Sequence, residues 1–255
     1  MAGPAELSFQ WDGLEDGPIL MLSHALGTAR AMWDPQVERV SSRRRLLRFD
    51  HRGHGASPIP PGPYRIEDLG RDCLRLLDGL QLDRVAFCGL SLGGMVGMWL
   101  GANAPERIDR LILCCTAARM PRPEDFATRA ARVRQEGLVP LADQIIGRWF
   151  TPSFFADHAD RVAAIRALLT ATDPEGYAST CEALAAMDLR DQLGKITAPT
   201  LVIAGAEDQS TPLAQAREIA DGIRGARLVV VDRAAHMANI EQPDAISQAV
   251  LTGLG

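Results

Sequence analysis

The sequence predicts an α/β fold whose mostly parallel, twisted sheet is flanked by helices. Two observations support this prediction. Apolar runs of strand length, such as residues 85–88 and 200–205, alternate with segments of helical periodicity, which is the pattern of βαβ units. Polar residues able to do chemistry follow these runs, and open α/β sheets build their sites beyond the carboxyl ends of strands. A chain of 255 residues is compatible with one such fold.

The amino-terminal part of the chain supplies three predicted strands and two predicted helices. Strands are expected over residues 7–11, 19–22 and 45–49 because each is a short apolar run bounded by turn residues. Residues 33–40 are predicted to form a short helix. Residues 66–80 are predicted to form an amphipathic helix, because their apolar side chains recur on one helical face.

The later strands are predicted from apolar runs at residues 85–88, 108–114, 200–205 and 227–231. Pro243 is expected to open the final helix, since proline is well tolerated in a first helical turn. These elements complete the alternating pattern of a parallel sheet with helices on both faces.

The strand pattern disappears between Met120 and Lys195, where arginine- and alanine-rich helical segments are separated by prolines. We interpret this stretch as a helical cap inserted after the sixth strand, which would cover the site and exclude water from it. The predicted division is therefore a core of residues 1–119 and 196–255 with a cap of residues 120–195.

The most informative motif is Gly-Leu-Ser-Leu-Gly at residues 89–93, between a predicted strand and a predicted helix. G-x-S-x-G in this position indicates a nucleophile elbow, in which a tight turn exposes the serine hydroxyl at the edge of the sheet. Ser91 is therefore the candidate nucleophile. The backbone N–H of Leu92, at the start of the helix, is a candidate donor to a developing oxyanion.

A serine nucleophile requires a base, and the base requires a group that orients it. Asp208 follows the strand at residues 200–205, and His236 follows the strand at residues 227–231. The order Ser, Asp, His resembles that of the α/β-hydrolases. We therefore predict the triad Ser91, Asp208 and His236. Glu207 remains the alternative acid, and a helix-capping carboxylate or a surface histidine are the alternative interpretations of Asp208 and His236.

The other histidines are interpreted as structural. His24 follows the second predicted strand, where α/β-hydrolases place the second loop of the oxyanion hole, so the resemblance implies Leu26 as the second N–H donor. His51 and His54 are expected in a structured loop beneath the site, and His158 on a solvated helical segment. No further ligand cluster accompanies the histidine pair, so we expect neither a metal nor an organic cofactor.

Composition excludes several classes of function. The net charge of −5, without a basic block, is unfavourable for nucleic-acid binding. No apolar run approaches membrane-spanning length, and no secretory signal is recognisable. Cys88, Cys114 and Cys115 fall in predicted strands, which favours reduced thiols and a cytoplasmic location. A homo-oligomer is compatible with the sequence.

Beyond the fold, the chain resembles the 3-oxoadipate enol-lactonases of bacterial aromatic-ring degradation. Phe126 in the cap departs from the pattern of this family, in which a tryptophan is expected at that position. The core blocks that carry the resemblance are residues 23–28, 32–36, 50–57, 62–64, 88–95 and 103–107. In the cap, the similar blocks are residues 148–152 and the stretch from Gly176-Tyr177 to Asp188-Leu189-Arg190.

The resemblance implies hydrolysis of an enol-lactone with a carboxylate arm through an acyl-enzyme, in the β-ketoadipate pathway. An anionic substrate needs local positive charge, which a cap arginine can provide through paired hydrogen bonds. Arg134 is the first candidate and Arg129 the second, although a solvated helix face is the usual place for such residues. Trp149 and Trp33 are candidate pocket walls, and ordinary core packing is their alternative role.

Other functions are compatible with the same residues. A general carboxylesterase or a different lactonase would share the triad and differ only in the cap and pocket. A cofactor-free perhydrolase is a further alternative, and a non-catalytic binding protein would not need an intact triad. A dehalogenase would carry an aspartate at the position of Ser91.

Overall fold

The computed structural model describes residues 3–255, and it confirms the predicted fold class. Its centre is a seven-stranded sheet in the order β1-β3-β2-β4-β5-β6-β7. β1 pairs antiparallel with β3, and all other neighbours are parallel. The strands are β1 (Phe9–Gly13), β2 (Ile19–Ser23), β3 (Arg45–Phe49), β4 (Val85–Leu90), β5 (Ile108–Cys114), β6 (Thr200–Gly205) and β7 (Arg227–Val231).

The central strands are buried because helices cover both faces of the sheet. Every residue of β4 and of β6 is buried. The helices of these layers are α1 (Asp34–Val40), α2 (Ile66–Gly79), α3 (Leu92–Asn103), α9 (Leu213–Gly222), α10 (Ala238–Glu241) and α11 (Pro243–Leu254). α3 is apolar on nearly all sides and packs against β4, β5 and α2, so it lies inside the molecule.

The direction of chain progression reverses between β2 and β4, which are neighbours in the sheet. β2 is followed by β3 on one side, whereas the chain from β4 onward continues on the other side. Loops diverge at such a switch point and leave a crevice at the carboxyl ends of the strands. The loops that contain Leu26 and Ser91 flank this crevice.

Five helices lie between β5 and β6. They are α4 (Pro123–Glu136), α5 (Ala142–Ile146), α6 (Pro152–Asp157), α7 (Ala159–Ala171) and α8 (Pro174–Ala186). We call these helices and their connections the cap. The expectation that the cap follows the sixth strand is wrong, because only five strands precede it. Its two ends are joined by a bridge between Arg119 and Asp188.

Several element boundaries differ by one or two residues from those expected. β1 begins at Phe9, two residues later than predicted, because its pairing with β3 runs from Phe9 opposite Phe49 to Gly13 opposite Arg45. The first helix is preceded by a 3₁₀ turn at Arg30–Trp33. No helix within residues 3–255 is both long enough and apolar enough to cross a bilayer.

A buried ion pair fixes α2 to the loop after β3. Arg52 is fully buried and donates to both carboxylate oxygens of Asp72, with Nε–Oδ2 at 2.5 Å and Nη2–Oδ1 at 2.8 Å. The N–H of Ala5 donates to the same carboxylate at 3.1 Å. Removing one partner of such a pair leaves the other charge buried and uncompensated.

We therefore expect Asp72→Ala to lower the free energy of unfolding by about 3–5 kcal/mol. Chemical denaturation measures this change directly. Asp78→Ala on the same helix is the matched control, since Asp78 pairs with Arg107 at 2.8 Å but its side chain is 65% exposed. The control should change stability by less than about 1 kcal/mol. Equal effects of the two substitutions would contradict the assignment of a buried structural pair.

Candidate active site

Ser91 occupies a strained turn between β4 and α3. Its backbone has φ +55° and ψ −114°, a conformation that non-glycine residues seldom adopt. The turn is held on both sides, since the N–H of Ser91 donates to the carbonyl of Cys114 at 3.0 Å. The hydroxyl of Thr116 donates to the carbonyl of Ser91 at 2.7 Å. Contacts beyond the end of β5 therefore stabilise the geometry of a nucleophile elbow.

The glycines of the motif are required by close backbone approach. A Cβ added at Gly89 would lie 2.2 Å from the carbonyl oxygen of Gly93. A Cβ added at Gly93 would lie 2.2 Å from the carbonyl oxygen of Ser23 on β2. No side chain fits at either position without moving the backbone, so the spacing G-x-S-x-G follows from the packing of the turn.

Asp208 and His236 are brought together by the loops after β6 and β7. Nδ1 of His236 lies 2.8 Å from Oδ2 of Asp208, and both side chains are buried. Burial alone would raise the pKa of Asp208. The charge and hydrogen bond of His236, together with the hydrogen bonds from Thr211, outweigh this effect, so the pKa of Asp208 is lowered. An ionised Asp208 accepts a hydrogen bond from Nδ1–H of His236, which leaves Nε2 of His236 available as a base.

Thr211 is a site residue that the sequence analysis missed. Its backbone N–H donates to Oδ1 of Asp208 at 2.9 Å, and its hydroxyl donates to Oδ2 at 2.7 Å. The N–H of Ser210 adds a third bond to this carboxylate, at 2.7 Å. An aspartate followed three residues later by threonine is typical of such a turn, so the sequence contained a usable signal. Glu207, the alternative acid, is exposed to solvent.

Ser91 and His236 line one cavity of about 240 Å³ between the core loops and the cap. The two residues are 7% and 4% exposed, so most of their contact with solvent is through this cavity. Among residues 3–255 no hydrogen bond of the Ser91 hydroxyl is found, so it is free to turn toward Nε2 of His236. The structure thus brings Ser91, His236 and Asp208, the predicted nucleophile, base and orienting acid, to one site.

The two expected oxyanion donors flank Ser91. Leu26 follows β2 and lines the cavity. Leu92 is the first residue of α3, so its N–H has no acceptor within the helix. The N–H of the neighbouring Gly27 donates to Nε2 of His54 at 3.0 Å, which fixes the loop that carries Leu26. Two N–H groups from separate, rigid elements are therefore available to a tetrahedral oxyanion.

Three buried histidines support the Leu26 loop. Nε2 of His24 accepts from the N–H of His51 at 2.9 Å, so its Nδ1–H donates to the carbonyl of Ala25 at 2.8 Å. Burial lowers the pKa of His24, His51 and His54, to about 3 for His54. His24 and His54 are neutral imidazoles with fixed tautomers and act here as structural hydrogen-bond partners. Within residues 3–255 no group of three or more potential ligands is arranged to hold a metal.

The cap contributes an aromatic wall and three arginines, Arg122, Arg129 and Arg148, to the Ser91 cavity. Trp149, Phe126, Tyr177 and Arg129 all line it. The Arg129 guanidinium carbon lies 4.8 Å from the centre of the Phe126 ring. The Tyr177 hydroxyl lies beside Arg129 but, within the described chain, makes no hydrogen bond of good geometry. A ligand oxygen in this part of the cavity would meet the Arg129 guanidinium.

Two expected pocket residues lie elsewhere. Arg134 does not line the cavity, because its guanidinium bonds to Glu175 at 2.8 Å and to Glu182 at 2.5 Å on α8. These surface carboxylates hold it on the opposite side of α4. Trp33 has no exposed surface and does not line the cavity, because it ends the 3₁₀ turn before α1 and packs in the core. Both expectations are therefore corrected.

The cap is tied directly to the loop that carries His236. The N–H of Met237 donates to the carbonyl of Trp149 at 2.9 Å. The buried carboxylate of Glu241 accepts from the N–H and hydroxyl of Thr151, at 2.7 and 2.8 Å, and also from the N–H of Ala235. Burial raises the pKa of Glu241, although these hydrogen bonds oppose the shift. We call this set of contacts the cap strap.

Comparisons with known proteins give one consistent pattern. A family model described as the alpha/beta hydrolase fold matches residues 18–243. The chain is 42% identical to 3-oxoadipate enol-lactonase 2 of Acinetobacter baylyi over 244 residues, which cover 96% of this chain and 91% of that protein.

Two solved structures are similar along nearly their full length. The enol-lactonase of Burkholderia xenovorans LB400 superposes with a TM-score of 0.96 at 45% identity, covering 98% of this chain and 96% of that one. A thermophilic esterase of Thermogutta terrifontis, solved with malate bound, gives a TM-score of 0.92 at 32% identity, covering 98% and 93% of the two chains.

Proposed function

This chain belongs to the α/β-hydrolase family and is an ester-hydrolysing enzyme, and we propose that it hydrolyses 3-oxoadipate enol-lactone to 3-oxoadipate. The resemblance to enol-lactonases inferred from the sequence blocks is confirmed by its relatives. In this proposal the enzyme serves the β-ketoadipate pathway of aromatic degradation. The observation that carries it is a single cavity that holds Ser91, His236 and the cationic Arg129.

Acylation follows from the geometry of the triad. Oγ of Ser91 attacks the lactone carbonyl while its proton passes to Nε2 of His236, whose other nitrogen is held by Asp208. The N–H groups of Leu26 and Leu92 donate to the oxyanion. When the intermediate collapses, the ring C–O bond breaks and the enolate oxygen leaves. The His236 imidazolium returns its proton to the enolate, which becomes a ketone, so the leaving group is stable and His236 is neutral again for the next step.

Deacylation uses the same groups, with water as the nucleophile and Ser91 as the leaving group. His236 takes a proton from a water molecule, which attacks the acyl carbon of the Ser91 ester. Collapse of this second intermediate returns the proton to Ser91 Oγ and releases the new carboxylic acid. The reaction consumes one water molecule and needs no redox partner.

Arg129 is the side chain we propose to bind the carboxylate arm of the substrate. It is always charged, and its planar guanidinium can donate two parallel hydrogen bonds to a carboxylate. The net charge of the chain is −5, so an anionic substrate needs a local cation of this kind. The malate in the related Thermogutta esterase supports a pocket suited to small carboxylates.

Arg129→Gln should lower kcat/KM for the anionic lactone by roughly 10- to 150-fold, since a charge-assisted hydrogen bond contributes about 1.5–3 kcal/mol. Hydrolysis of a neutral aryl ester should change by less than about threefold, because the triad and oxyanion donors are untouched. Arg134→Gln is the matched control, from the same helix but outside the cavity, and should affect neither substrate. Equal losses on both substrates in Arg129→Gln would contradict carboxylate recognition.

The substrate assignment is tested by a spectrophotometric assay with 3-oxoadipate enol-lactone beside saturated lactones and aryl esters. The proposal requires the highest kcat/KM for the enol-lactone. A clear preference for simple aryl esters would instead identify a general carboxylesterase on the same triad.

A further inference from the structure

A second cavity adjoins the Ser91 cavity and has no role in the proposed reaction. It has a volume of about 230 Å³ and lies between α4 and α5 of the cap. The two cavities share Asp125, Arg129, Ile145 and Arg148 as common walls. Thr128, Arg132, Leu141 and Gln144 line only the second cavity. Half of its lining is therefore shared with the Ser91 cavity, and the other half is its own.

Positive charge dominates this lining. Three guanidinium groups face one carboxylate, that of Asp125. Asp125 also accepts a hydrogen bond from Arg122 at 3.1 Å, so its charge is already compensated from outside the cavity. The whole chain is negative, with a net charge of −5. The positive charge of the second cavity therefore attracts small anions, although the protein as a whole is negative.

The guanidinium groups retain donors for a ligand. Arg148 uses Nη2 to donate to the carbonyl of Gln209 at 2.9 Å. Arg132 uses Nε and Nη2 to donate to Glu136 at 3.2 and 3.1 Å. This exposed pair contributes little to stability, so a carboxylate ligand can compete with Glu136 for Arg132. Gln144 and Thr128 add neutral donors at the same site.

The arrangement also indicates the shape of the ligand. Arg132 belongs to α4, whereas Arg148 follows α5, so the two guanidinium groups come from different walls. Leu141 and Ile145 supply an apolar surface in the same cavity. Two separated cations and an apolar surface fit a short aliphatic chain with a carboxylate at each end. We propose that the second cavity binds small dicarboxylates between Arg132 and Arg148, beside the Ser91 cavity with which it shares one wall.

Gln144→Glu provides a sharp test, since it introduces a carboxylate with almost no change in shape at an exposed position outside the Ser91 cavity. Isothermal titration calorimetry with adipate at low ionic strength should show binding to the wild-type chain. Gln144→Glu should weaken this binding on the order of tenfold or more, because like charges then face each other. Arg132→Gln should weaken it in the same direction.

Gln135→Glu is the control, since it makes the same charge change on the exposed surface of α4 outside both cavities. It should leave adipate binding unchanged. Binding should also persist after an aryl phosphonate has blocked Ser91, and none of the three variants should alter neutral aryl-ester hydrolysis. Equal affinity in Gln144→Glu and wild type, or loss of binding after the block, would overturn the proposal. Neither readout involves the lactone, so the result is separate from that of the proposed function.

Discussion

Replacing Ser91 by Ala is expected to lower kcat by a factor on the order of a million. The substitution removes the oxygen that we predict to form the acyl-enzyme, and His236 then has no hydroxyl proton to accept at this position. The loss should be nearly as large as that from removing the whole triad, because its members act as a unit. Activity on both an enol-lactone and an aryl ester should fall together, since the nucleophile serves every ester substrate.

The measurement is kcat for the purified variant, with mass spectrometry after exposure to an aryl phosphonate. The wild-type chain should gain one phosphonyl group on Ser91, and Ser91→Ala should gain none. The melting temperature should change little, because alanine preserves the backbone of the turn that Cys114 and Thr116 hold. Turnover near the wild-type value would show that another residue is the nucleophile.

Asp208→Asn is expected to lower kcat by roughly four orders of magnitude. The same change in other serine triads has an effect of this size because it leaves the histidine in the wrong tautomer. Oδ2 of Asp208 accepts a hydrogen bond from Nδ1–H of His236, with 2.8 Å between the two atoms, which leaves Nε2 as the base. An amide of the same shape can present its NH₂ group to Nδ1. The imidazole would then carry its proton on Nε2, where it cannot accept one from Ser91. The charge that stabilises the imidazolium would also be lost.

Glu207→Gln is the matched control, because it neutralises the adjacent carboxylate, which is exposed. It should retain kcat within a few-fold of wild type. Measuring substrate binding beside kcat separates this prediction from simple unfolding, since Asp208→Asn should still bind substrate while losing turnover. If Glu207→Gln were the damaging change, the acid of the triad would have to be reassigned.

The positions of the triad residues could be predicted from the sequence because the sheet determines them. Ser91, Asp208 and His236 each follow a strand, and the carboxyl ends of parallel strands meet at one edge. Apolar runs identify such strands without knowledge of their neighbours. The role of Thr211 is harder to predict, because it depends on a turn that brings the Thr211 hydroxyl back to Asp208.

The substrate-binding residues could not be chosen from the sequence in the same way. Arg129 and Arg134 lie on the same helix, five residues apart, which places them about 140° from each other around its axis. Only one of them can face the cavity. Which one does so depends on the packing of α4 against α8, where Glu175 and Glu182 bind Arg134. Helical periodicity along one chain segment contains no information about that partner.

The cap strap has a consequence for protein engineering. Glu241 and Met237 connect the catalytic histidine loop to Thr151 and Trp149 of the cap. A chimaera that replaces residues 120–195 with the cap of another hydrolase would exchange one half of this network and retain the other. Specificity and turnover would then change together, because the new cap would also change the position of the loop that carries His236. Successful cap grafts should therefore transfer both segments as one module.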